Sequence, residues 1–142
     1  MDDMLILTFI GHRPNKISKE LYNWKSELSE KYIKFFMNYI AKYCSENSGK
    51  IVRCRSGMAL GIDTLFAIAV MRLYKNGYNV ELDDYTNWRM QDRNVYMING
   101  CNRVLVVWDG TKGGTGNCVN YAKKVGVDID IVRPTEISGE VA

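Results

Sequence analysis

Between Val104 and Gly116 the chain reads VLVVWDGTKGGTG, an uninterrupted apolar run that breaks into a turn with four glycines inside seven residues. An apolar run without polar alternation has no water-facing side, the pattern of a strand covered on both faces in a parallel sheet. Helical character resumes after Gly116, so the bare stretch is read as a strand-to-helix turn. The same succession recurs along the chain. Met4 to Ile10 is nearly all apolar and ends in Gly11, and Ile51 to Cys54 is a short strand followed by RSGMALGID. Tyr78 to Leu82 and Ile129 to Val132 supply two further strands, the last stopping before Pro134.

The segments between have helical spacing. From Leu21 to Tyr43, apolar residues including Trp24, Leu28, Tyr32, Phe36 and Ile40 recur at intervals of three and four, which predicts one helix or two. Thr64 to Tyr74 is a strongly apolar helix stopped by Asn76 and Gly77; Met90 to Ile98 and Asn117 to Val125 are two more. Strands alternating with helices predict an α/β fold, a Rossmann-like, mostly parallel sheet of about five strands flanked by helices. All 142 residues fit one domain, residues 1–142. A chain of that size buries roughly 70% of its unfolded surface, enough to fold without staples.

Composition narrows the functional classes. A net charge of +3, with 19 Lys and Arg scattered along the chain, is weak material for a nucleic-acid partner. Four separated cysteines and a single histidine do not make a metal site, and no cofactor is expected. The start MDDMLILTFIG is acidic where a signal peptide is positively charged, and no stretch approaches the roughly 18 apolar residues of a membrane span. A cytoplasmic, reduced protein with no membrane partner is the expectation.

Right-handed crossovers place every strand-to-helix turn of such a sheet along one edge. Seven of the twelve glycines, Gly11, Gly57, Gly61, Gly110, Gly113, Gly114 and Gly116, fall in three of these turns. They are expected to converge at the carboxyl edge, where open α/β sheets bind ligands. Bare backbone at a helix N-terminus lets successive N–H groups face a phosphate or carboxylate. Beside these glycines, His12 and Arg13 follow the first strand, and Arg13 has the planar fork that clamps such anions; Arg93 is a second candidate. Asp63 is read as a carboxylate at a helix start or an acceptor for ribose hydroxyls, and Asp109 as an acceptor for ribose or base. Asn117 is read as a helix cap or a ligand contact.

Four motifs occur in order: GHRP at Gly11 to Pro14, SGMALGID at Ser56 to Asp63, MQDRN at Met90 to Asn94, and VWDGTKGGTGNCVNYAKK at Val107 to Lys124. This order resembles the YspA/YpsA-like branch of the SLOG superfamily, which joins the DNA-processing protein A fold to the LOG phosphoribohydrolases. The resemblance covers most of the chain except residues 18–46. It implies a shortened SLOG fold, a homo-oligomer, and glycine loops that hold a nucleotide-derived ligand such as an ADP-ribose-type signal. The residues so implicated include Ser56, Met58 and Thr115 within the motifs.

The LOG pattern carries a catalytic glutamate after its glycines. Gly113, Gly114 and Gly116 match those glycines, and Met90 and Arg93 match a preceding arginine motif, but the glutamate position falls on Asn120. An amide is no general base, and losing one typically forfeits about 10²- to 10⁴-fold in rate. The resemblance therefore implies binding without turnover, as sensing or sequestration. A nucleotide N-glycosidase using Arg93 and a displaced carboxylate such as Asp109 is the alternative, and single-stranded DNA binding stands third. Two further departures are the short LDDYTNWR stretch at Leu82 to Arg89, too brief for a further βα unit, and Ile10 where the family usually has threonine. The first implies a smaller sheet and a pocket wall that is absent or supplied by a second subunit.

Overall fold

A computed structural model describes residues 3–12, 17–57, 61–84 and 95–139. Its centre is β1 (Met4–Gly11), whose MLILTFIG sequence is buried or half-buried beyond its first residue because both sides of the strand are covered. On one side β1 pairs with β2 (Ile51–Ser56), which pairs with β3 (Val80–Asp84); on the other it pairs with β4 (Arg103–Val107), which pairs with β5 (Asp128–Val132). All four pairings are parallel, and the strand order is β3-β2-β1-β4-β5. The α/β, Rossmann-like sheet predicted from the alternation is thus present with five strands.

Alternation along β1 divides the core. Leu5, Leu7 and Phe9 face α1 (Glu27–Glu46) and α2 (Ile62–Lys75), where Tyr32, Ile33, Phe36, Leu65 and Phe66 complete the larger cluster. Phe9 stacks on Phe66 at 4.7 Å between ring centroids and meets Phe36 edge-on at 5.0 Å. Ile10 faces the opposite side, with Val104 and Val106 of β4, Val119 and Ala122 of α3 (Gly114–Val125), and Met97 and Ile98. Residues 95–98 are helical, and a short α4 (Pro134–Ser138) inserts Ile137 into the larger cluster.

The long first helix begins later than its periodicity suggests. Leu21 belongs instead to a separate 3-10 turn, Lys19–Tyr22, whose start is capped by the Ser18 hydroxyl accepting from the Glu20 N–H. Ser26 then caps α1 by accepting from the Ser29 N–H at 3.1 Å, and a single helix runs to Glu46. Two capping serines within nine residues outweigh the apolar spacing, since each satisfies a helix-end donor that would otherwise lack a partner. At the other sites the shifts are small. β3 starts at Val80 because Tyr78 donates its N–H back to Leu73 O, prolonging the helix end. β4 stops at Val107, and the indole N–H of Trp108 turns to Thr111 O at 2.8 Å.

The helix α4 was not anticipated. Its signals are Pro134 in the first turn and Glu136, whose carboxylate accepts from the Arg133 N–H at 2.6 Å.

Candidate functional site

The strand order reverses direction at β1 and β4: the chain winds outward through β2 and β3, then returns to lay β4 and β5 on the other side. At such a switch point the connections leave a crevice beyond the carboxyl ends of the strands. The ends of β2, β1 and β4 are neighbours in the sheet, so Ser56 and Gly57, Gly11 and His12, and Trp108 to Gly110 meet along one edge. The three strands that lead into the glycine turns are thus adjacent and parallel. Arg13, Met58 and Arg93 lie outside the described residues.

The glycines have different physical causes. A Cβ on Gly11 would stand 2.8 Å from the Phe9 ring, so this glycine makes room for the aromatic core. A Cβ on Gly116 would meet Thr111 O and the Trp108 ring at 3.2 Å, so this one lets α3 close onto the end of β4. Gly61 and Gly113 start α2 and α3 at φ 101° and 146°, backbone that L side chains rarely adopt. Gly114 differs from all of these. It sits in the first turn of α3 with no positive φ, and a Cβ there would meet nothing within 4 Å. Neither packing nor backbone conformation requires glycine at this position.

The two helix starts also differ in charge. Asp63 occupies the first turn of α2, where a carboxylate suits the partial positive charge of the helix end; the Ser56 hydroxyl donates to Asp63 O at 3.2 Å. The first turn of α3 has no acidic residue, and its cap Gly113 has no side chain to satisfy the exposed N–H groups. Thr115 is buried in that turn, and Asn117 lies within the helix, its N–H on Gly113 O at 2.9 Å. Asn117 is therefore not the helix cap; the glycine run carries the helix start back to Gly114. Gly114, Asn117 and Asn120 are exposed and, spaced by three, share a face of α3.

His12, which follows β1, is buried. It is 3% exposed, and its Nε2 lies 2.8 Å from Asp109 Oδ1. The same oxygen accepts from the Thr111 N–H at 3.0 Å and the Thr111 hydroxyl at 2.6 Å. The Thr111 hydroxyl bond, then its N–H bond, with a smaller contribution from His12, hold the Asp109 carboxyl well below the usual carboxylate range against the opposing effect of burial. All three bonds fall on Oδ1. Among the described residues no bond falls on Oδ2, which stands at the edge on a side chain 38% exposed.

A further carboxylate, Asp83 in β3, is drawn aside. It lies 3.4 Å from Arg55 Nε, while Arg55 Nη1 donates to the carbonyls of Tyr96, Met97 and Asn99 at 3.4, 3.1 and 3.0 Å. Arg55 thereby ties β2 and β3 to the end of the helical residues 95–98, where the Thr8 hydroxyl also donates to Met97 O.

Beside Asp109 the edge opens into a cavity of about 520 Å³ between the 3-10 turn, the start of α1 and the start of α4. Arg133, at the end of β5, borders it and donates to Asp109 O at 3.4 Å. The sequence reading missed Arg133, Thr111 and this cavity, because the walls come from segments far apart in the chain. Among the described residues there is no cluster of three metal-ligating side chains, and no helix is long and apolar enough to cross a membrane.

No protein-family model matches the chain. A stretch of 41 residues is 49% identical to the uncharacterised SPbeta prophage-derived protein YoqJ of Bacillus subtilis strain 168. That match spans 29% of this chain and 24% of the relative.

Proposed function

We propose that the chain binds a nucleotide-derived small molecule, its phosphate end against the Gly110 to Gly116 turn, and senses or sequesters it without turnover. The observation that carries this reading is Gly114. In a helix, glycine costs roughly 0.5 to 1 kcal/mol relative to alanine. Here that cost gains nothing in packing or conformation, since the Cβ position is open. A phosphate seated on the first turn of α3 gives the missing side chain a purpose, because it approaches N–H groups that no acidic residue covers. The order of the motifs, similar to the SLOG pattern, supports the same reading and extends it to an ADP-ribose-like ligand and a homo-oligomer.

Binding is favoured over hydrolysis by the state of Asp109. A carboxylate held far below its ordinary pKa by Thr111 and His12 stays ionised at neutral pH and is a poor proton acceptor. Asn120 supplies no base in its place.

Two measurements test the proposal. Mass spectrometry of small molecules released by heating the purified protein should reveal a phosphate- and ribose-containing compound. Gly114→Asp places a carboxylate in the anion position, and should abolish thermal stabilisation by ADP-ribose while leaving the melting of the free protein nearly unchanged. Unchanged stabilisation in that variant refutes the site. Release of free base from nucleoside monophosphates by the wild-type chain would instead favour the N-glycosidase reading.

A further inference from the structure

We propose that the cavity beside Asp109 receives the uncharged end of the ligand, ribose hydroxyls and base, and so fixes which way round the molecule lies on the edge. This rests on the binding reading above and assigns a second subsite to it.

The chemistry of the cavity wall separates it from the glycine turn. Among the described residues its cations are Lys31 and Arg133, each with one bond to a main-chain carbonyl: Lys31 Nζ with Ser138 O at 3.2 Å, Arg133 Nη1 with Asp109 O at 3.4 Å. Its carboxylates, among the same residues, are those of Glu20, Glu27 and Asp109. Among the described residues Glu20 and Glu27 form no ion pair, and Asp109 keeps Oδ2. Three carboxylates against two cations make the described wall net acidic, which disfavours phosphate and favours groups that donate, such as sugar hydroxyls and exocyclic amines.

The remaining lining is of another kind. Ile17, Leu28 and Pro134, all half-buried, offer apolar surface for the face of a base. The volume of about 520 Å³ lies within the usual range of small-molecule pockets, roughly 300 to 1,000 Å³. Asp109 lines the cavity and also follows β4, directly before Gly110, so it stands at the junction of the two subsites. A molecule with phosphate on the α3 turn and a sugar beyond it brings its hydroxyls to Asp109 first.

Calorimetric titration of the full chain with ADP-ribose and with inorganic pyrophosphate tests this. In the wild type, ADP-ribose should bind more tightly than pyrophosphate. Thr135→Trp fills the cavity without removing a side-chain hydrogen bond seen in the structure, and should weaken ADP-ribose about tenfold or more while leaving pyrophosphate unchanged. The Glu20→Gln, Glu27→Gln double variant should act in the same direction. If Thr135→Trp does not fold, the double variant decides alone.

ADP-ribose affinity unchanged in the folded variants overturns the assignment. So does a double variant that binds pyrophosphate more tightly, since the cavity would then hold the anion. If Gly114→Asp leaves pyrophosphate binding intact, the phosphate turn is wrong, while the cavity is still judged by Thr135→Trp. A wild-type chain that binds neither probe overturns both.

Discussion

His12 Nε2 lies 2.8 Å from Asp109 Oδ1, joining the residue after β1 to the second residue after β4 across the point where the strand order reverses. The histidine is buried and the aspartate half-exposed, so the pair holds an accessible carboxylate on a buried support. A neighbouring bond reinforces it, from the His12 N–H to Val107 O at 3.2 Å. Under the proposed binding function, an edge fixed in this way before the ligand arrives lowers the ordering cost of binding.

The Asp109 carboxyl is held below its ordinary range in the folded protein, chiefly by Thr111. A depressed folded pKa contributes stability above the unfolded value, near 3.9, and loses it as pH falls through the folded value. Asp109→Asn should therefore lower stability at pH 7. Because the side chain is more than a third exposed, screening limits the loss to about 1 kcal/mol, or roughly 3 °C in Tm. Thermal melts from pH 7 to pH 2 should show the gap constant down to about pH 4 and closing below it. A gap that widens on acidification would contradict the assignment.

Thr111→Val removes the hydroxyl that gives Asp109 its shortest bond, 2.6 Å, and keeps the N–H bond at 3.0 Å. The expected cost is about 0.5 to 1.5 kcal/mol in urea unfolding. The sharper signature is the carboxyl itself. Carbon-detected NMR titration should find the Asp109 pKa raised toward the ordinary carboxylate value, because the hydroxyl is the largest of the lowering influences.

Arg55 holds three carbonyls at the end of the helical residues 95–98, and its side chain is 13% exposed. Replacing it with methionine leaves those carbonyls facing apolar surface and should cost about 1.5 to 3 kcal/mol in chemical unfolding. Arg55→Lys should recover less than half of this, since one ammonium does not reproduce a planar fork. Full recovery by lysine would show that charge alone, and not the spread of the guanidinium, secures this end.

Much of this architecture was legible locally. A strand buried on both faces must be apolar throughout, so Met4 to Ile10 and Val104 to Trp108 announced the centre of the sheet, the second one residue too long, and the glycines after them marked its carboxyl end. Helix starts were less legible, because Ser18 and Ser26 act through single hydrogen bonds that apolar periodicity does not register. The role of each glycine was not legible at all. Gly11 and Gly116 are crowded and Gly114 is open, yet the three look alike in a string of letters. The cavity was hidden for the same reason: Glu27, Asp109 and Thr135 become neighbours only when α1, the end of β4 and the start of α4 are folded together.

That contrast among the glycines yields the most discriminating pair of variants. Alanine at Gly116 must press its methyl against Thr111 O and the Trp108 ring at 3.2 Å, and main chain cannot retreat as a flexible side chain can. Overpacking of this kind costs about 1 to 3 kcal/mol. Alanine at Gly114 meets open space within a helix turn, and should stabilise the free protein by roughly 0.5 to 1 kcal/mol through its better helix propensity. If a phosphate rests on that turn, the added methyl occupies its path, so Gly114→Ala should melt at a higher temperature than wild type yet bind pyrophosphate and ADP-ribose more weakly. Differential scanning calorimetry with and without each compound reads both effects on one sample. A Gly114→Ala protein that is more stable and binds with undiminished affinity would show that the bare turn serves no ligand.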